Sequence, residues 1–495
     1  MTLAHWLAIW EAPIAQLKKS WPWLLSAVLF NSAFPPLNFG LLVFVAMVPW
    51  LLALMKSSPK GAVVSGLGFG FVTYLWQTFW VVTMVHRWTG SLVLSIVPWV
   101  IIGLLGAVYF AALGWGMERA LSLGRPWLIP LLWAGLEVVR AYIPILGFPW
   151  ALAATPLWPY PSLIQPAFIG TVFVVSGWTT LVNVIVVLVM NDTKWLVVRR
   201  YVFAAVGFLL VSGLLQAREV TTTKKTIVIG QLGINMAYVD PNTRLAELST
   251  ATKKVFLASG LASADLTVLP EGLTDGGSQM PPMVPFDLPN DVAVIFGGRR
   301  GVGPIYQSAY ARDRSGKWSF ADKTRLVAFG EYVPGRAWMP FMEQYQLPSG
   351  DITPGRSVMT LRVGDLEVGP LICFEALFPD VADIQVQQGA RLLAVLSLDD
   401  WYFGTPALDQ LRAASVFRAV ETGLPLVRSA PLGYSMAVDA LGEIIAEAPL
   451  GKTVGMRVDV PVPTDPQQWP LRRAFPLLFV ASWFLLLGKR AATAA

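Results

Sequence analysis

Cys373 is the only cysteine in 495 residues. It closes the apolar run LEVGPLIC and stands two places before Glu375. A thiol so placed is either a small apolar residue filling a core or a nucleophile whose thiolate attacks a carbonyl carbon. A nucleophile needs a base. The chain's two histidines, His5 and His86, lie far upstream, so a Ser-His-Asp triad, a Cys-His pair and a histidine metal site are excluded around Cys373. The base must be a carboxylate or a lysine. Glu271 follows an apolar strand in TVLPEG, and Lys323 lies in FADKTRLVAFGEYVP with Glu331 eight places on. Three polar residues that each end an apolar strand can converge at one edge of a sheet. A solvated loop glutamate, a surface lysine and a core cysteine are the plainer alternatives.

The elements that must position them begin near residue 217. Strand-like pieces lie at TIVIGQLGIN, LTVLP (266–270), VAVIFGG (292–298), LEVGPLICF (366–374) and RLLAVLSL (391–398). Helical patterns separate them at NTRLAELSTATKKVFLASG and ALDQLRAASVFRAVETG. Strands alternating with helices over 217–472 predict one α/β domain, its inner sheet covered by helices.

The rest of the chain is unlike a soluble domain. Hydrophobic residues make up 55%, charged residues 14%, and mean hydropathy is +0.57. Apolar runs near 22–34, 37–54, 61–83, 92–117, 126–143, 166–190, 196–215 and 474–488 predict about eight membrane spans. Residues 1–216 would then carry seven spans, and 473–495 the eighth with a tail. Pro35-Pro36 would turn the chain after the first. With both termini inside, the inner segments hold Lys18, Lys19, Lys56, Lys60, Arg119, Arg125, Lys194, Arg199, Arg200, Lys489 and Arg490. The outer loops offer Arg87, and 144–165 has no Lys or Arg. The asymmetry predicts that 217–472 lies outside the cytoplasmic membrane. The first run has a Lys pair before it and more spans after it, so it is not expected to be a removable signal peptide. One cysteine excludes an intramolecular disulfide. The net charge of +6 follows from the inner-face basic residues and does not argue for nucleic acid.

LPEG, DKTRLVAFGEYVP and GPLICFE resemble the Glu, Lys and Cys motifs of the carbon–nitrogen hydrolase (nitrilase) superfamily. With the membrane part, including Glu137 and Arg140 in LEVVRAYIPILGFPW, the chain resembles the apolipoprotein N-acyltransferase family over nearly its whole length. The resemblance implies a bacterial inner-membrane protein with an extracytoplasmic αββα nitrilase-like domain inserted before the last span. It implies a Glu271-Lys323-Cys373 triad, with Glu331 and Glu375 in support or in structural salt bridges. The chain departs from the family pattern at Leu269 (Trp expected), Phe374 (Tyr expected), Tyr306-Gln307-Ser308, Asp399 to Gly404, Gln410-Leu411 and Pro431-Leu432-Gly433.

On that basis Cys373 takes a fatty acyl chain from a phospholipid as a thioester. The N-terminal amine of a diacylglyceryl-cysteine apolipoprotein then takes it from the thioester. No metal or cofactor is needed, and a monomer is expected. The alternative is a membrane-bound amidase or lipid hydrolase in which water is the acceptor. In solution thiol and carboxyl differ by about 4 pKa units, or about 6 kcal/mol, so the site is expected to narrow that gap. Trp338, Met339, Phe341 and Met342 in loop 336–348, with the similar loop 279–289, predict apolar lips at a lipid entrance. Glu137 and Arg140, three residues apart on a membrane helix, predict a paired polar anchor, and His86-Arg87 an interfacial one.

Overall fold

The computed structural model describes residues 21–487, apart from 239, 241, 260–262, 275–276, 278–281, 285, 290, 337–349 and 468. After the helical residues 21–32, the apolar region forms α1 (Val48–Leu54), α2 (Pro59–Gln77), α3 (Trp80–Thr89), α4 (Leu92–Ser122), α5 (Leu128–Tyr142), α6 (Ala167–Met190) and α7 (Trp195–Gln216). Among the described residues α4, α6 and α7 are long and apolar enough to cross a membrane. The other runs differ from single spans. The run 61–83 divides where α2 gives way to α3. At 15 residues α5 is about 22 Å long, against the roughly 30 Å of a hydrocarbon core. Where α2 meets α4, a Cβ on Gly70 would lie 2.4 Å from the Gly106 carbonyl oxygen, so the contact requires glycine.

The α/β region holds two six-stranded sheets. In the first, β1 (Thr222–Gln231), β2 (Leu266–Val268) and β3 (Val294–Arg300) run parallel. Antiparallel β4 (Tyr306–Arg312) and β5 (Trp318–Asp322) follow on one side, and β12 (Val454–Pro463) lies on the other. In the second, β7 (Leu366–Ile372), β8 (Leu392–Leu396) and β9 (Leu426–Ser429) run parallel. They are flanked by antiparallel β6 (Leu361–Val363) and by β10 (Met436–Val438) with β11 (Ile444–Glu447).

Strand alternation places the sheets face to face. Leu392, Ala394 and Leu396 of β8 share an inner core with Ile227, Ile229, Leu266 and Val268 of the first sheet. Leu393 and Val395 point the other way, into a cluster with α9 (Pro379–Gln387) and α10 (Ala407–Thr422). Helix α8 (Arg244–Ser259) covers the far face of the first sheet through Leu248, Ala251 and Val255. The order is therefore helix, sheet, sheet, helix, as the resemblance implied.

The cluster behind the second sheet continues without a break into the apolar helices, including Phe173, Trp150 and Phe479 of α11 (Ala474–Ala481). Helix α10 joins the two regions with polar contacts as well. Helix α6 loses helical geometry at Gly170 and Thr171. The Val172 N–H freed there donates to Glu421 Oε1 at 2.6 Å. Gln410 Nε2 donates to Gln77 Oε1 at 2.8 Å, and Gln410 Oε1 accepts from the Ala151 N–H at 3.1 Å.

Candidate active site

Parallel strands present their carboxyl ends at one edge, where loops rather than ladder partners surround the chain. Cys373 follows the last residue of β7, opens a 3-10 turn and adopts φ +52°. A non-glycine residue at positive φ is strained unless its surroundings enforce the conformation. Here Glu375 enforces it. One carboxylate oxygen accepts the Ile372 N–H at 3.0 Å, just before the cysteine. The other accepts the N–H groups of Thr324 at 2.7 Å and Arg325 at 3.1 Å, with the Thr324 hydroxyl at 2.9 Å. Glu375 thus ties the β7 turn to the chain just after Lys323.

Lys323 follows β5 and is fully buried, its Nζ 2.6 Å from Glu331 Oε1. The other Glu331 oxygen takes the Val327 N–H at 2.8 Å, which fixes the carboxylate against the lysine. Burial pulls the Lys323 ammonium down. Glu331, Cys373 and Glu271 outweigh it, so the net direction is up and the ammonium is kept.

Glu271 lies three residues beyond β2 and is buried. The Leu398 N–H donates to its carboxylate, while among the described residues Oε2 has no hydrogen-bond partner. Its backbone is pressed against β3. A Cβ on Gly297 would lie 2.8 Å from Glu271 Cα, so glycine is required there.

Burial pushes the Glu271 carboxyl up to about 7; Lys323 opposes the shift and Glu331 and Asp399 add to it. Burial also pushes the Cys373 thiol up to about 12, helped by Glu271 and opposed by Lys323 and a Ser397 hydrogen bond. The expected narrowing of the gap does not occur. Desolvation penalises both anions alike, and from about 7 to about 12 the thiolate stays disfavoured by about 7 kcal/mol. The resting site holds a neutral thiol, a partly ionised Glu271 and an ammonium. Such a site moves the thiol proton only as charge develops on a bound carbonyl.

The sequence of the region around this cluster matches a known family in two parts. The apolipoprotein N-acyltransferase N-terminal domain matches residues 26–185 and the carbon–nitrogen hydrolase family residues 289–460. An apolipoprotein N-acyltransferase of Geobacter metallireducens is 29% identical over 464 residues, covering 86% of each chain. One of Allorhizobium ampelinum is 29% identical over 463 residues, covering 84% of each. The chain belongs to the apolipoprotein N-acyltransferase family. A solved yeast structure, Saccharomyces cerevisiae Nit3 of nitrilase branch 10, aligns over 53% of this chain and 97% of its own. At 17% identity and a TM-score of 0.37 it adds nothing to that conclusion.

In this N-acyltransferase family member Lys323 and Cys373 fall inside the carbon–nitrogen hydrolase match, and Glu271 precedes it. Beside Cys373, Phe374 stacks at 6.2 Å on Phe148, which itself stacks at 5.4 Å on Trp150. The loop after α5 therefore reaches the residue next to the thiol.

Glu137 and Arg140 are both buried but do not form the expected ion pair. Glu137 Oε1 accepts from Trp133 Nε1 at 2.9 Å and the Ala153 N–H at 2.8 Å. Arg140 donates to the Tyr74 hydroxyl at 2.8 Å and the Trp150 carbonyl at 3.4 Å. Both side chains hold the 150–153 loop, which a spacing argument within one helix could not foresee. Arg87, expected to anchor at an interface, donates to the Phe403 carbonyl at 2.7 Å. Trp338, Met339, Phe341 and Met342 lie outside the described residues. In loop 279–289, Met283 is exposed while Phe286 is buried against Phe256 and Phe296 of its own domain, so the lip reading fails for Phe286.

Sequence reasoning missed a buried pair behind the thiol. Arg428 donates to both Asp399 oxygens, at 2.8 and 2.7 Å, and to Ser397 Oγ at 3.2 Å, and the Ser397 hydroxyl itself donates to Asp399 Oδ1. The available signal was an arginine inside the apolar strand β9. Among the described residues no group of three His, Cys, Asp or Glu is placed to hold a metal.

Proposed function

We propose that this protein transfers a fatty acyl chain from a membrane phospholipid to the N-terminal amine of a diacylglyceryl-cysteine apolipoprotein. The observation that carries the reading is the position of the buried Glu271-Lys323-Cys373 set. It sits beside an apolar seam, Phe374 on Phe148, that continues into the membrane helices. A lipid ester reaching the thiol from that side meets hydrocarbon, not water, and a thioester formed there is shielded from hydrolysis.

In the proposed mechanism Cys373 Sγ attacks the ester carbonyl while Glu271 takes the thiol proton. The ester C–O bond breaks, and Glu271 returns the proton to the leaving lysophospholipid alcohol. The ammonium of Lys323, held by Glu331, stabilises the oxyanion. The acceptor amine then attacks the thioester, gives its proton to Glu271 and frees the thiol. Glu375 positions the nucleophile turn. The proposed setting is a monomer of about eight spans, with 1–216 and 473–495 in the bacterial inner membrane. Both termini are inside, and 217–472 is on the extracytoplasmic side. This follows from the basic residues on alternate loops.

Purified full-length protein given phospholipid should gain one acyl mass on Cys373 that hydroxylamine removes. Adding a diacylated lipopeptide should discharge it into a triacylated product. Free fatty acid as the main product in the presence of lipopeptide would replace the transferase reading with the hydrolase one.

A further inference from the structure

Where the apolar helices meet the α/β region, the fold leaves a cavity of about 260 Å³ that the proposed chemistry does not use. Its walls come from the turn 33–40, the loop 155–160 and one face of α10, where Asp409, Arg412 and Ala413 stand three and four residues apart. Glu271, Lys323, Cys373 and Phe374 are not among the lining residues. The walls are fixed. A Cβ on Gly40 would lie 2.5 Å from the Pro156 carbonyl oxygen, so turn and loop are pressed together. Gln410 ties α10 to the helices through Gln77 and the Ala151 N–H.

The two charges on that face differ. Arg412 is committed: its guanidinium lies 4.5 Å from the Trp158 ring and 4.6 Å from the Tyr434 ring, and it pairs with Glu447 at 2.7 Å. Asp409 Oδ1 accepts the Tyr434 hydroxyl at 2.9 Å, and among the described residues no cation pairs with either of its oxygens. The rest of the lining includes Phe34, Pro156, Trp158 and Tyr160. One carboxylate among apolar walls supplies too few oxygens for a metal ion and suits an organic ammonium. Arg412 already covers a face of Trp158, so recognition falls to hydrogen bonding with Asp409 and not to an aromatic cage. This selects a primary ammonium over a quaternary one.

The turn 33–40 shows where such an ammonium comes from. Asn38 and Gly40 line the cavity, while their neighbours Leu37, Phe39 and Leu41 are exposed, as is Tyr160. In a chain set in a membrane, exposed apolar side chains meet acyl chains and an exposed tyrosine favours the headgroup layer. We infer that this cavity binds the headgroup of an ethanolamine-type phospholipid. Its nitrogen donates to Asp409 and its chains lie along Leu37, Phe39 and Leu41. The lipid is a resident one, separate from the acyl donor at Cys373. This rests on the membrane setting proposed above and not on the thioester chemistry. An anionic glycerol headgroup offers Asp409 no cation and is repelled by it.

Native mass spectrometry of full-length Cys373→Ala protein, in which no thioester forms, tests this in bilayer discs of equal phosphatidylethanolamine and phosphatidylglycerol. The protein should leave the disc with one phosphatidylethanolamine, retained at least about fivefold over phosphatidylglycerol. Asp409→Asn, added to that protein, still accepts from Tyr434 but loses the charge, and should abolish the preference. Equal retention of the two lipids before Asp409 is changed overturns the proposal, and so does a preference that survives Asp409→Asn. With Cys373 in place, Asp409→Asn should form thioester within about twofold of wild type. A parallel loss of thioester would mean that the cavity holds the donor, which overturns the separate site. If wild type forms no thioester, the proposed reaction fails while the lipid preference still decides this inference. Ethanolamine alone should leave the thermal midpoint of delipidated protein unchanged; a rise matching that from phosphatidylethanolamine overturns the lipid assignment.

Discussion

Two glutamates end up buried within one site, at the turns after β2 and after β7, and the structure treats them differently. Glu375 accepts three backbone N–H groups and a hydroxyl, so both oxygens are satisfied. Among the described residues Glu271 takes one N–H, from Leu398, and leaves Oε2 without a partner. Burial raises both carboxyls. The difference lies in what the remaining lone pairs can do. A fully satisfied carboxylate holds chain segments together, and taking a proton would break bonds it already makes. A carboxylate with a free oxygen in a buried site is poised to exchange a proton. Glu375 is thus a fastener and Glu271 a base, although both precede the chemistry by only a few side-chain bonds.

Exchange of carboxylate for amide is the strongest way to break this contrast. Glu271→Gln should slow thioester formation by about 10²- to 10⁴-fold in a single-turnover mass assay. Its thermal midpoint should stay at or above wild type, because the unpartnered buried anion is gone. Glu375→Gln should invert the pattern. An amide nitrogen cannot accept the N–H groups it would face, so stability should drop by about 3 kcal/mol in denaturant titration. Whatever folds should retain more of the rate than Glu271→Gln does. If Glu375→Gln is as stable as wild type and as slow as Glu271→Gln, the two residues share one role and the comparison collapses.

The contrast was only half legible in the sequence. Glu271, Lys323 and Cys373 were visible because each ends an apolar strand, and the absence of histidine from the region left carboxylate and lysine as the available partners. Alternation in pieces such as RLLAVLSL pointed to an α/β domain with an inner sheet covered by helices, while the helix-sheet-sheet-helix order came from the family resemblance alone. What Glu375 does was not readable, since its partners Thr324 and Arg325 lie about fifty residues away and bond through backbone. Asp399 with Arg428, and Arg140 with Trp150, were missed for the same reason: contacts across loops carry no period. Span counting could not show that the apolar run 61–83 divides into two helices, Pro59–Gln77 and Trp80–Thr89, because hydropathy carries no mark of the break between them.

A pH titration sharpens the contrast at moderate size. Glu271 has an ordinary value of 4.5 and is raised to about 7 in the fold. The base is ionised above about 7, so the thioester-forming rate should fall about tenfold per pH unit below it. Stability should run the other way. A raised carboxyl favours the fold when protonated, so its contribution is full below 4.5 and is lost as pH rises to about 7, a change of about 3 kcal/mol. Glu271→Gln should flatten both curves over that window. A wild-type rate that is flat from pH 5 to 8 would remove Glu271 as the base.

The smallest effect tests geometry without touching charge. Gly297 lies in β3 with space only for hydrogen, its would-be Cβ 2.8 Å from Glu271 Cα and 3.1 Å from Glu271 Cβ. Backbone stands on one side, so a methyl group there must push the β2 turn outward by a few tenths of an ångström. Overpacking of this kind costs about 1–3 kcal/mol. Because Glu271 is held by a single N–H, its carboxylate should move with the turn, and the rate should fall by up to about tenfold in Gly297→Ala. The apparent pKa of the rate should stay near 7, since burial, its main cause, is unchanged. An equal substitution near Glu375 would meet a carboxylate fixed from four directions. A Gly297→Ala rate equal to wild type would mean that Glu271 tolerates displacement, and that its position is set by substrate and not by the fold.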